Sequence, residues 1–351
     1  MGERKQAVRV VEASEIFSSI PAIEECDCIK PTELESILGY RREPLVLRGL
    51  VENWPLVKAG RQSFHAARSY LVERARQVPF AVSIGPPGQG GRMFYNDQMG
   101  MNFRTGTASL ADIFAGFDRY EGEADGPTAY LASIDIREHF SSLAEENPHP
   151  LGKKQPLESI WIGGPTRIAA HNDFPHNIAC CAVGTRRFTL FPPEQFRNLY
   201  LGPLDNTPAG RAVSMVDFHR PDFEQYPAFR EALSQASVTT LEPGDALFIP
   251  SMWWHHVEGL SDFNVLINYW WRDTPKWLGQ PQDAMNHAIF AIRELPSEEK
   301  AIWREMFEYY VFDDPIKANS HIPTEHRGIL DPLTPVTADR LRQFLLRSLN
   351  K

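Results

Sequence analysis

The chain has 351 residues, 42% hydrophobic and 23% charged, enough to fill a sizeable core in one large domain or two modest ones. Its net charge of −9 excludes the broad basic surface on which nucleic-acid binding depends, so a nucleic-acid partner is not expected. Its four cysteines, Cys26, Cys28, Cys180 and Cys181, have no zinc spacing and are too few for a disulfide scaffold. No apolar run of about 18 residues offers a membrane span. The start, Met1 to Val8, has no apolar stretch behind its charges. A cytoplasmic protein with reduced thiols and no membrane contact is expected.

Residues 1–125 read as a mixed α/β region. A short strand is expected at Val8–Val11 and a helix at Lys30–Leu38, with Pro31 suited to its first turn. The run Pro44–Gly49 is β-rich, and Trp54-Pro55 marks a turn. A helix is expected over Gln62–Val78, with Phe64, Ala67, Tyr70 and Leu71 on one face, followed by a strand at Phe80–Ile84. The next segment, Gly85-Pro-Pro-Gly-Gln-Gly-Gly91, lacks dinucleotide-binding and P-loop spacing and reads as a flexible hairpin or lid.

From Tyr130 to Asp273 short β runs dominate, divided by Gly and Pro turns: Ser159–Ile162, Asn177–Val183, Arg187–Phe191, Ser237–Leu241, Ala246–Ile249 and Asn264–Trp271. Such a series indicates a β-sandwich or barrel. The turn Glu242-Pro-Gly-Asp245 sets its backbone angles through Pro and Gly. Residues 192–236 interrupt the series as a long Pro-rich insertion. Residues 281–351 are helical. Met285, Ala288, Ile289 and Ile292 share one face, and Trp303, Met306, Phe307 and Tyr310 share another after Ser297 as N-cap. A last helix follows Thr337, with Leu341, Phe344 and Leu345 aligned. These stripes either pack on their own core or, following a completed barrel, form a homodimer surface. The expected organisation is a region at 1–125 packing on a barrel at 126–275, then helices at 276–351.

The chemistry concentrates in Ile168-Ala-Ala-His171-Asn-Asp173. On a β-strand residues i and i+2 face one side, so His171 and Asp173 can point at one metal ion. A later strand carrying Trp253-Trp254-His255-His256 supplies a third ligand. His255 and His256 face opposite ways on a strand, so one of them ligates. Two histidines and a carboxylate on one face leave coordination positions open, the arrangement of non-haem Fe(II) oxygenases.

Together with Arg187-Phe-Thr-Leu-Phe-Pro-Pro-Glu-Gln-Phe196, Val216-Asp-Phe-His-Arg-Pro-Asp-Phe223 and Pro243–Val257, these residues resemble the JmjC branch of the cupin-fold Fe(II)- and 2-oxoglutarate-dependent oxygenases. Within that family the likeness is greatest to the asparaginyl hydroxylase of hypoxia-inducible factor, and it covers roughly residues 125–275. The resemblance implies a double-stranded β-helix, a jelly-roll core with flanking helices. It implies His171, Asp173 and His255 as metal ligands, the Trp-His pattern selecting His255 over His256. Asn177 and Asn268 match family positions near metal and cosubstrate. Arg186 stands where the family hydroxylase holds the distal carboxylate of 2-oxoglutarate with Lys, with Arg187 the alternative, and Tyr130 matches a tyrosine at the same carboxylate. The family's Thr three residues before the first ligand is Ile168 here, leaving Thr166, of equal strand parity, as the nearby hydroxyl. Phe174, Trp253, Trp254, Trp270 and Trp271 would limit solvent access or serve as barrel core. The implied reaction is Fe(II)- and 2-oxoglutarate-dependent hydroxylation of a C–H bond in a protein, peptide or small-molecule substrate, with release of succinate and CO2. A cupin-fold metal enzyme of other chemistry and a non-catalytic binding module are the alternatives.

Overall fold

The computed structural model describes residues 13–27, 31–123 and 126–350. The strand expected at Val8–Val11, together with Cys28 and Lys30, lies outside these residues. The chain divides into two compact units, residues 1–271 and 272–351.

The first unit is mainly β. In chain order its strands are β1 (Glu25–Asp27), β2 (Leu45–Arg48), β3 (Phe80–Gly85), β4 (Arg92–Met93), β5 (Arg104–Ala108), β6 (Thr128–Asp135), β7 (Leu157–Gly163), β8 (Thr166–Asn172), β9 (His176–Val183), β10 (Arg186–Phe191), β11 (Ser237–Leu241), β12 (Ala246–Ile249), β13 (Trp254–Gly259) and β14 (Asn264–Trp271). They form a nine-stranded sheet, β1-β2-β12-β9-β14-β7-β6-β3-β5, and a five-stranded sheet, β11-β10-β13-β8-β4. Strands β1, β2, β3 and β5, from residues 1–125, are therefore built into the large sheet itself.

The two sheets share one core. Ala179, Cys181, Leu247 and Leu266 from the large sheet pack with Phe188, Leu190, Leu241 and Val257 from the small one. The other face of the large sheet, with Ile178, Cys180, Ile160 and Ile267, is covered by Leu56, Val57, Ala67 and Leu71 from helices Pro55–Gln62 and Phe64–Arg74. With both faces covered, β9 and β14 carry continuous apolar runs instead of alternating ones. The outer face of the small sheet is covered by the insertion at 192–236. Val216, Phe218 and Phe229 from that insertion close over Ala170, Phe191 and Trp254.

Two local expectations change. The helix expected over Gln62–Val78 is two helices meeting at Ser63, whose extended backbone (φ −172°) makes it an N-cap, its hydroxyl accepting from the Ala66 N–H; the second helix ends at Arg74. The 85–91 segment is pinned rather than free. Arg167 donates from Nε to the Gly90 carbonyl at 2.9 Å and from Nη2 to the Gln89 carbonyl at 3.0 Å. Gly91 takes φ +71°, and a Cβ there would stand 2.3 Å from the Pro165 carbonyl oxygen, so only glycine fits this approach.

The second unit holds helices Pro281–Ile292, Ser297–Phe307 and Pro335–Leu349. Pro296, not Ser297, precedes the middle one as N-cap, and Thr334 with Thr337 forms the capping box of the last. Neither of the first two helices buries a residue, and Phe290 and Phe312 are 81% and 72% exposed. No helix among the described residues is long and apolar enough to cross a membrane.

Candidate metal centre and its cavity

Strands β8 and β13 pair antiparallel with His171 opposite His255. A register shift follows, after which Val257 faces Ile168. Between these pairs β8 uses three steps where β13 uses two, a bulge in β8. It turns both Ile168 and His171 inward although they are three residues apart. The imidazole rings lie 4.3 Å apart between centroids. Each is oriented by its own backbone: Nδ1 of His171 meets the Ala169 carbonyl at 2.9 Å, and Nδ1 of His255 meets the Trp253 carbonyl at 3.1 Å. With Nδ1–H donating there, Nε2 of each ring is the available metal-binding nitrogen.

Asp173 lies just past the end of β8. Its Oδ2 is 3.7 Å from His255 Nε2 and accepts a hydrogen bond from Trp270 Nε1 at 3.2 Å. Its backbone carbonyl receives the Met252 N–H at 2.9 Å, which ties the start of β13 to the end of β8. The ligand atoms of His171, Asp173 and His255 all lie within 4.8 Å of one another. Burial, reinforced by His171 and opposed by Asp173, pushes His255 down to about 4, so it is neutral and able to ligate at neutral pH.

These three side chains line a cavity of about 410 Å3, together with Tyr130, Ile168, Asn177, Arg186 and Asn268. Arg186 is 1% exposed, and its Nε and Nη2 have no hydrogen-bond partner. A guanidinium stays charged even when buried, so leaving two of its donors unpartnered is costly, and the arrangement suits an anion. Burial pushes the Tyr130 hydroxyl up, with Arg186 beside it acting in the opposite sense, so the group remains a proton donor. Asn177 Oδ1 is also buried without a partner, and Asn268 Oδ1 accepts from Trp161 Nε1 at 2.8 Å.

Other residues fall elsewhere. Thr166 is buried but is not among the cavity-lining residues; it sits beside Gly163 and Gly259. Arg187 points to the opposite face of β10 and binds Glu258 through Nε at 2.7 Å and Nη2 at 2.9 Å. His256 also faces outward, its ring 4.5 Å from that of Phe218. Of the five aromatics, Trp270 lines the cavity, whereas Trp254 donates to the Pro193 carbonyl and Trp253 to that of Arg42. Trp161 and Arg211 were not singled out in the sequence. Trp161 falls in the β run expected at Ser159–Ile162, but Arg211 lies in an insertion without periodicity.

The chain belongs to the cupin-like domain family, whose model matches residues 31–276. Among curated proteins it is similar to the tRNA wybutosine-synthesizing protein 5 of Gallus gallus, at 27% identity over 74% of this chain and 84% of that one. It is similar to the lysine-specific demethylase JMJ31 of Arabidopsis thaliana, at 33% identity over 70% of this chain and 49% of that one. The human HSPB1-associated protein 1 is 24% identical over 74% of this chain and 54% of that one. The chain thus spans about half the length of the latter two.

Proposed function

We propose that this chain is an Fe(II)- and 2-oxoglutarate-dependent dioxygenase that hydroxylates a C–H bond in a protein or peptide side chain. The observation that carries the reading is the pairing, in one cavity, of a His-Asp-His cluster with a buried cation that has two unpartnered donors. The residues suit both groups. Two imidazoles and one carboxylate match a divalent iron with open positions, and Arg186 matches the distal carboxylate of a dicarboxylic acid. When bound, iron with 2-oxoglutarate and O2 supplies the oxidation that hydroxylates the substrate and releases succinate and CO2.

The chain's own residues bind and orient. His171 Nε2, His255 Nε2 and the Asp173 carboxylate hold the metal. Trp270 fixes one Asp173 oxygen by its hydrogen bond, which limits the rotation of that carboxylate. Arg186 supplies two donors for the distal carboxylate, and the Tyr130 hydroxyl stands beside it. Ile168 contributes an apolar wall and no hydrogen bond. The finer likeness to the asparaginyl hydroxylase rests on motif residues and fixes no substrate. The polypeptide class is carried over from that resemblance and from the name of the demethylase relative.

The test is O2-dependent succinate release from 2-oxoglutarate with added Fe(II). Asp173→Ala should abolish it, and equal rates in the variant and the wild type would overturn the reading. We further propose a homodimer formed through the second unit, supported by the exposed Phe290, Phe312 and Leu349. Light scattering at micromolar concentration should give twice the chain mass; a single chain mass would reject it. We also propose a reducing, cytoplasmic setting, which fits four cysteines without zinc or disulfide-scaffold spacing.

A further inference from the structure

The cavity has a buried end, holding Arg186, Tyr130 and Asn177, and a more open end formed by Phe103 and residues 208–211. Its charged lining residues are few: Asp173, Arg186 and Arg211. On the proposed reading, on which this inference rests, Asp173 is committed to the metal and Arg186 to the distal carboxylate. Arg211 is then the lining charge left without a counterpart. Its guanidinium carbon lies 3.9 Å from the centre of the Phe174 ring, and Phe174 directly follows Asp173. No hydrogen bond or ion pair engages Arg211 among the described residues.

Stacking on an aromatic face fixes the plane of a guanidinium and leaves its N–H edge free for bidentate donation. Here that edge belongs to the more open end of the cavity that also holds the metal cluster, stacked on the residue that follows Asp173. A carboxylate meeting it gains charge-assisted hydrogen bonds in a partly desolvated setting. A lysine or arginine side chain entering the same cavity meets Arg211 and the metal, and no lining carboxylate outside the metal cluster offsets them.

We propose that Arg211 is a specificity-determining residue that recognises a carboxylate of a polypeptide substrate, carried by an acidic side chain near the hydroxylated C–H bond, and that it disfavours cationic side chains there. The chain's net charge of −9 makes this a local preference, since bulk attraction would favour polycations.

The test uses the full chain loaded with Zn2+, as a redox-inert metal, and 2-oxoglutarate. Hexaglutamate, hexalysine and hexauridylate are titrated calorimetrically. The wild type should bind hexaglutamate in preference to hexalysine. Arg211→Gln should weaken hexaglutamate by about tenfold, as expected for losing one charge-assisted contact, and Arg211→Lys should retain most of the affinity. Binding of 2-oxoglutarate should be equal in all three proteins. The proposal is overturned if the wild type does not bind hexaglutamate, if Arg211→Gln binds it equally well, or if hexalysine binds as tightly. Hexauridylate binding that depends on Arg211, without hexaglutamate binding, would make the partner a nucleic-acid phosphate and overturn the polypeptide assignment. A wild type that fails to bind 2-oxoglutarate refutes the parent reading instead, while a loss confined to Arg211→Gln would move Arg211 to the cosubstrate and overturn this one.

Discussion

Arg186 and Arg187 are neighbours on β10, yet the small sheet places them in opposite electrostatic circumstances. Arg187 faces outward into a closed polar network. Its guanidinium holds both oxygens of Glu258, and His219 Nε2 meets the same carboxylate. On the same covered face Arg167 and Arg92 pair with Asp217 of the insertion. Arg186 faces inward, is more deeply buried, and keeps two donors without partners. The charges of the outer face pair within the chain and fasten the insertion to the barrel. The inner face keeps a buried cation with two unpartnered donors. Satisfied charge marks the part of the molecule that holds shape, and unsatisfied charge marks the part that binds.

The contrast can be broken most sharply by stability. Arg187→Ala leaves Glu258 buried without its main partner and should cost about 3 kcal/mol, the usual scale for removing one member of a buried pair. Arg186→Leu removes an unpaired buried charge, and ligand-free protein should be as stable or more so. Urea denaturation of the two variants checks this, and a large loss for Arg186→Leu would show that Arg186 has a structural partner after all.

A smaller effect is expected from acid. Burial works to raise the Glu258 carboxyl, but hydrogen bonds from His219 and Arg187 outweigh it and hold the group well below the usual carboxylate range. The unfolded chain therefore takes up a proton at this site before the folded one does. The stabilisation is complete above the ordinary carboxylate value of about 4.3 and is lost as pH falls below it. Glu258→Gln should flatten that part of the stability–pH curve; an unchanged slope below pH about 4.3 would assign the acid sensitivity to other groups.

Much of this arrangement was legible in the sequence. Strands β11, β12 and β14 match their expected ranges because Gly and Pro punctuate them, as in the turn where Asp245 Oδ2 accepts the Glu242 N–H at 3.0 Å. His171, Asp173 and His255 converge, and His256 turns away, as strand parity requires. Other features depended on register. Parity alone places Ile168 and His171 on opposite faces, and the bulge in β8 brings them together. The same register sets Thr166 beside Gly163 and Gly259 and outside the cavity. Which of two adjacent arginines faces inward follows from the register of β10, which starts at Arg186 and not at the expected Arg187. Ser63 gave no sign that one apolar stripe was two helices. The Glu258 network joins residues from three distant segments, and no local pattern announces such a meeting.

On the proposed reading Arg186 is the counter-charge for a dicarboxylic acid. The most direct test compares 2-oxoglutarate with 2-oxobutyrate, which lacks the distal carboxylate, in calorimetric titrations of metal-loaded wild type and Arg186→Leu. The wild type should prefer 2-oxoglutarate by about 100-fold, the worth of a bidentate charge-assisted pair, and the variant should lose that preference. A preference that survives in Arg186→Leu, or is missing from the wild type, would contradict the account.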